Sequence, residues 1–125
     1  MAFNPSQEKA IHHIKGPMMV LAGPGSGKTT VITHRTRFLI QQGIDPGNIL
    51  VITFTRAAAR EMQERFITLM DGKSTRVSFG TFHSVFFTIL KHAYRYQASN
   101  IVREEQKAGF IREMIEKYRL ELEDE

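Results

Sequence analysis

Residues 21–35, LAGPGSGKTTVITHR, restrict this chain more than any other stretch. An apolar run, MMVLA, leads into three glycines and a proline, and a helix-like segment opens with a lysine. Gly25 and Gly27 admit positive φ and close approach of the backbone. A strand, a glycine-rich turn and a helix in this order wrap phosphate in backbone N–H groups at a helix N-terminus. Ala22, Gly23, Pro24, Gly25, Ser26, Gly27, Lys28, Thr29 and Thr30 are therefore the candidate phosphate loop. Lys28 is placed to reach β- and γ-phosphates and the Thr29 hydroxyl to ligate Mg²⁺, the two catalytic candidates. The strict pattern has glycine where this chain has Ala22, which still permits a tight exit from a strand. A glycine-rich turn with an incidental lysine is the alternative, and the register of the flanking segments weighs against it. The loop names no reaction, because kinases, GTPases, transporters and motors share it.

The segments around the loop alternate in type. NPSQEKAIHHI (4–14) reads as a short helix with Asn4 as cap, Pro5 at its first position and Glu8 in its first turn. MMVLA (18–22), ILVITF (49–54) and TRVSFG (75–80) read as three buried strands. Lys28 to Gln41 forms a helix stopped by Gly43, DPGN (45–48) is a turn, and RAAAREMQERFITLM (56–70) is a helix with Glu61 four residues before Arg65. Thr81 caps TFHSVFFTILKHAY (81–94), and Phe110, Ile111, Met114, Ile115 and Tyr118 make a helical stripe in the tail. Such alternation predicts an α/β parallel sheet with flanking helices.

At 125 residues the chain suits one ordinary domain. It has no cysteine, which excludes disulfides and thiolate metal sites and fits a reducing cytoplasm. No apolar run nears the roughly 20 residues that span a bilayer, so no membrane role is expected. The five histidines show no ligand spacing that would complete a metal centre. Residues 1–100 carry 12 Lys and Arg against 5 Asp and Glu, a net +7, and residues 101–125 carry 5 against 8, a net −3. The basic part holds the motifs and suits a polyanion such as DNA or nucleotide, although many basic proteins bind neither.

Four segments in series, FNPSQEKAI, MMVLAGPGSGKTTVITHRTRFLI, NILVITFTRAAAREMQERF and VSFGTFHSVFFTIL, resemble the first motor domain of UvrD/Rep/PcrA-type superfamily 1 DNA helicases over about residues 3–90. The resemblance implies a three-layer P-loop NTPase (RecA-like) parallel sheet, incomplete here: residues 1–100 belong to motor domain 1A and residues 101–125 begin an inserted helical subdomain, 1B. It also implies ATP and Mg²⁺ as cofactors, with Gln7 reading the adenine edge and Arg35 lying beside it. Taken without the resemblance, Gln7 is a solvated first-turn residue and Arg35 an exposed helix arginine.

Phe54, Thr55, Arg56, Phe82 and His83 match the segments that carry single-stranded DNA in that family. Phe54 would stack a base, Thr55 would offer a hydroxyl, and Arg56, where many relatives have asparagine, would meet phosphate. For Phe54 the rival is core packing at a strand end, and for Phe82 a core stripe with Phe86 and Leu90.

ATP hydrolysis on a P-loop needs an apolar run closing in Asp-Glu to hold Mg²⁺ and orient water. No such run occurs; LELEDE (120–125) reads as a solvated helix end. The leading expectation is an N-terminal piece of a 3′-to-5′ DNA helicase, acting on single-stranded DNA and junctions with the remaining domains of the same protein, and binding nucleotide without efficient turnover. Another P-loop enzyme such as a kinase, and a stand-alone nucleic-acid-binding module without catalysis, stay open.

Overall fold

The computed structural model describes residues 2–119, and the chain forms two units, Met1–Phe86 and Phe87–Glu125. In the first, helix α1 (Pro5–His12) opens with a reciprocal cap: Asn4 Oδ1 accepts the Gln7 N–H at 2.8 Å, and Gln7 Oε1 accepts the Asn4 N–H at 2.9 Å. Two orphan donors of the first turn are thereby satisfied. α1 buries Ala10 and Ile11 and packs on helix α2 (Lys28–Gln41), whose bounds match the sequence reading. Gly43, at φ 91°, ends α2 by donating its N–H to the Ile40 carbonyl, a left-handed exit that suits glycine.

Strand β1 (Leu50–Thr53), helix α3 (Arg56–Leu69) and strand β2 (Ser78–Thr81) form a βαβ unit. The strands pair in parallel with Leu50 opposite Ser78 and Thr53 opposite Thr81. α3 lays Phe66 between Ile49 and Val77, and Leu39, Ile40, Ile44, Val51, Met70 and Phe79 pack around that cluster. Asp45 accepts from Arg76 at 2.6 Å and from the Gly47 N–H at 2.9 Å, tying together the loops that enter the two strands. Glu61 and Arg65 meet at 2.7 Å on the exposed face of α3.

The sheet holds two strands among the described residues, not three. Residues 18–22, expected as a buried strand, run without ladder partners, with Met19 86% and Leu21 90% exposed. A run apolar on both faces is stable as a strand only when bonded on its edges and covered on its faces. Here β1 and β2 bond each other, and no described segment pairs with residues 18–22. The same shortage leaves Leu50 half exposed and shortens the expected 49–54 strand to four residues.

Helix α4 (Phe82–Tyr94) begins directly at the end of β2. Thr81 Oγ1 accepts the Ser84 N–H at 3.2 Å and the Thr81 N–H donates to Ser84 Oγ at 2.9 Å, the cap that Thr81 predicts. This tight junction requires Gly80, because a Cβ there would lie 2.8 Å from Ser84 Oγ and 3.3 Å from Val85 Cγ2. Gly80→Ala is expected to destabilise the first unit by about 1–3 kcal/mol, the cost of overpacking. A denaturant midpoint equal to wild type would show that the junction yields freely.

The boundary between the units falls inside α4. The second unit carries a one-turn 3₁₀ segment (Ala98–Asn100) and helix α5 (Glu104–Tyr118). Phe110, Ile111, Met114 and Tyr118 of the expected stripe are exposed along α5, with Ile115 half-buried. LELEDE, expected as a solvated helix end, lies outside the described residues. No helix among the described residues is long and apolar enough to cross a membrane.

Candidate functional site

The phosphate-loop candidate owes its shape to its glycines. Gly25 and Gly27 adopt φ of 74° and 78°, the left-handed region that side chains disfavour. Ser26 folds back on the turn, its N–H and its hydroxyl both donating to the Gly23 carbonyl, at 3.3 and 2.6 Å. α2 then starts at Lys28 with Gly27 as its N-cap and no side chain capping it. The first-turn N–H groups are thus left without the side-chain oxygen that ordinarily meets them, at the positive end of the helix dipole. Lys28 is exposed at the first helical position, and Thr29 and Thr30 are half-buried behind it. An uncapped N-terminus after two left-handed glycines, with a lysine beside it, fits a polyphosphate; the Thr29 hydroxyl is the donor present for a hard cation.

The loop borders a cleft of about 430 Å³. Met18, Val20, Leu21 and Ile32 give it apolar walls, and Gln7, Lys28 and Arg35 bring polar groups to it. Gln7 and Arg35 therefore share one cleft with the loop, although 28 residues separate them in the chain. Both are already engaged. Gln7 Nε2 donates to the Ser26 carbonyl at 3.0 Å while its Oε1 holds the Asn4 N–H. Arg35 Nη1 donates to the Ala10 carbonyl at 3.0 Å and to the His13 carbonyl, satisfying acceptors at the C-terminal end of α1. Gln7 thus belongs to the capped first turn that the plain sequence reading gave it, with a further bond to the loop, and Arg35 is half-buried rather than an exposed helix arginine.

The second group of candidates sits at the opposite ends of β1 and β2 from the Asp45–Arg76 tie. Parallel strands finish on one edge, so Phe54, just past β1, and Phe82, just past β2, come together there. Their ring centroids lie 5.4 Å apart, tilted by 45°. Phe54 is 88% exposed and lies outside the core formed by the described residues, and Phe82 is 40% exposed. Phe86 extends the row, its centroid 6.3 Å from that of Phe82. Arg56 and His83 are exposed beside these rings in sequence, each within the first turn of its helix. Thr55 is different: its Oγ1 accepts the Ala58 N–H at 3.1 Å and caps α3, so its hydroxyl has a structural task.

Sequence reasoning missed the Gln7–Ser26 bond and the part of Phe86. The first spans 19 positions and leaves no local signature. The second was signalled by the four-residue spacing of Phe82 and Phe86, which serves an exposed stripe as well as a core one.

A family model described as the UvrD/REP helicase N-terminal domain matches residues 3–125. A putative ATP-dependent DNA helicase, YjcD, of Bacillus subtilis is 45% identical over 97 residues, covering 74% of this chain and 13% of that protein. A probable DNA helicase II homolog of Rickettsia felis is 46% identical over 89 residues, with 70% and 13% covered. The ATP-dependent DNA helicase PcrA of Staphylococcus aureus is 43% identical over 89 residues, with 70% and 12% covered. The chain thus matches about an eighth of the length of these relatives.

Proposed function

The chain belongs to the UvrD/REP helicase N-terminal domain family, and from that premise we propose that it is the ATP-binding, DNA-contacting part of a cytoplasmic ATP-dependent 3′-to-5′ DNA helicase. The observation that carries the reading is the uncapped start of α2, set behind two left-handed glycines on the cleft that Gln7, Lys28 and Arg35 share. Bound ATP, with Mg²⁺, supplies the phosphoanhydride whose cleavage powers movement along DNA.

The backbone N–H groups of Gly25, Gly27, Lys28 and Thr29 would orient the phosphates, and the Lys28 ammonium would meet the β- and γ-oxygens. Thr29 offers its hydroxyl to Mg²⁺. Gln7 and Arg35 hold the base side of the cleft, Gln7 with the N–H and lone pair its protein partners leave over. Phe54 and Phe82 form a stacking ledge for single-stranded DNA, with Arg56, His83 and the Thr55-capped start of α3 toward its phosphates.

In this reading residues 18–22 are the strand of a RecA-like sheet that leads into the phosphate loop, and their exposed apolar faces are those that further strands of a whole helicase cover. The remaining domains of such a helicase are the partners that complete hydrolysis, since this chain has no apolar run ending in Asp-Glu. Alone, it binds nucleotide without efficient turnover.

The test is titration of a fluorescent ATP analogue with Mg²⁺ against wild type and Lys28→Ala. Loss of a charge-assisted contact should weaken binding roughly 10- to 100-fold. Equal affinity of the two proteins removes the phosphate-loop assignment.

A further inference from the structure

Gln7 joins α1 to the phosphate loop through an amide engaged at both ends. Its Oε1 accepts the Asn4 N–H at 2.9 Å and its Nε2 donates to the Ser26 carbonyl at 3.0 Å. Asn4 Oδ1 accepts the Gln7 N–H in return at 2.8 Å, so the side chain stands on a closed cap. The two backbone partners also fix its polarity. A flipped amide would set its NH₂ group against a donor and its oxygen against an acceptor.

This bond has a consequence one residue on. The peptide that joins Ser26 to Gly27 is planar and trans, so its C=O and N–H point in opposite directions. Drawing the Ser26 carbonyl toward α1 turns the Gly27 N–H away from α1, immediately before the first residue of α2. Gly27 is also held close: at φ 78°, a Cβ on it would come within 3.3 Å of Gln7 Nε2. One hydrogen bond and one close approach therefore set a peptide of the loop from outside the loop.

We propose that Gln7 is a positioning residue of the phosphate loop, fixing the Ser26–Gly27 peptide and so raising phosphate affinity whether or not a base is present. The proposal rests on the phosphate-loop reading and adds to the base contact, because the amide keeps one N–H and one lone pair free of these two bonds.

The probe that separates the two roles is inorganic tripolyphosphate with Mg²⁺, which has no base, titrated calorimetrically into the whole chain. Gln7→Met is neutral and lacks the donor and the cap; Gln7→Glu keeps an acceptor for Asn4 but turns a second oxygen toward the Ser26 carbonyl. What the two share is loss of the bond to Ser26. Both should bind tripolyphosphate roughly 3- to 10-fold more weakly than wild type, the range of one neutral hydrogen bond.

Wild-type affinity for tripolyphosphate in Gln7→Met, with ATP weakened, overturns the proposal and leaves Gln7 a reader of the base alone. Should thermal melting show Gln7→Met unfolded, Gln7→Glu decides by the same measure at about 1 M salt, where its added charge is screened. Lys28→Ala runs alongside. If it leaves tripolyphosphate affinity unchanged the loop assignment itself fails, whereas a loss in Lys28→Ala without one in Gln7→Met removes only the positioning role.

Discussion

Phe66→Ala should lower the stability of the first unit by about 3–5 kcal/mol, the usual cost of emptying a buried phenylalanine site. Phe66 is 1% exposed and is the large side chain that the fold encloses completely among the described residues. Its ring meets that of Phe79 on β2 at a centroid distance of 5.6 Å and packs against Ile49 and Val77, the residues that lead into the two strands. One side chain of α3 thereby holds both strands to the helix layer. A two-stranded sheet offers little else to close a cavity there, so relaxation around alanine is limited. Since whole domains are stable by only about 5–15 kcal/mol, the loss removes much of the margin. Urea unfolding followed by circular dichroism measures it. A loss below about 1 kcal/mol would mean that the ring is not packed as described, and Phe66→Leu, which keeps most of the volume, should cost well under half as much.

What could be read from the sequence was what local chemistry decides. Asn4 and Pro5 start α1, Lys28 and Gly43 bound α2, Thr81 stands before α4, and each device acts within one helical turn. The turn of the phosphate-loop candidate was legible for the same reason, because left-handed backbone at Gly25 and Gly27 is a property of those residues. The strand at residues 18–22 was not, since a strand is a relation between segments and an apolar run does not reveal whether a partner is present to bond it. Exposure was equally hidden. Phe54 ends an apolar run as a core residue would, yet it points into solvent because the strand stops at Thr53 and the chain turns into α3. Arg35 matched a family position beside the base, and its grip on the end of α1 emerged only once α1 and α2 were seen to pack. The two sites stand unequally in this respect. The phosphate-loop candidate is a contiguous segment, whereas the pairing of Phe54 with Phe82 depends on two strands ending in register 28 residues apart.

That pair yields the second large effect, on single-stranded DNA. An aromatic ring 88% exposed stabilises no core, and its neighbour at 5.4 Å makes an apolar patch of the kind that surfaces keep for binding. Each base stacked on such a ring contributes about 1–3 kcal/mol. Phe54→Ala and Phe82→Ala should accordingly each weaken binding of an oligo-dT strand by roughly 5- to 100-fold. The rings touch, so the double variant should lose less than the two single losses combined, a coupling that a thermodynamic cycle isolates. Fluorescence anisotropy at several salt concentrations checks this and assigns the mode of binding as well. Removing a ring should leave the dependence of affinity on salt unchanged, because stacking releases no counterions, while Arg56→Ala should make it shallower. Phe54→Ala should also leave the unfolding midpoint near wild type, since the ring it deletes is in water. Undiminished oligo-dT affinity in both single variants would rule out the ledge as the DNA contact. A loss of affinity in step with a loss of stability would instead make Phe54 a structural residue, contrary to its exposure.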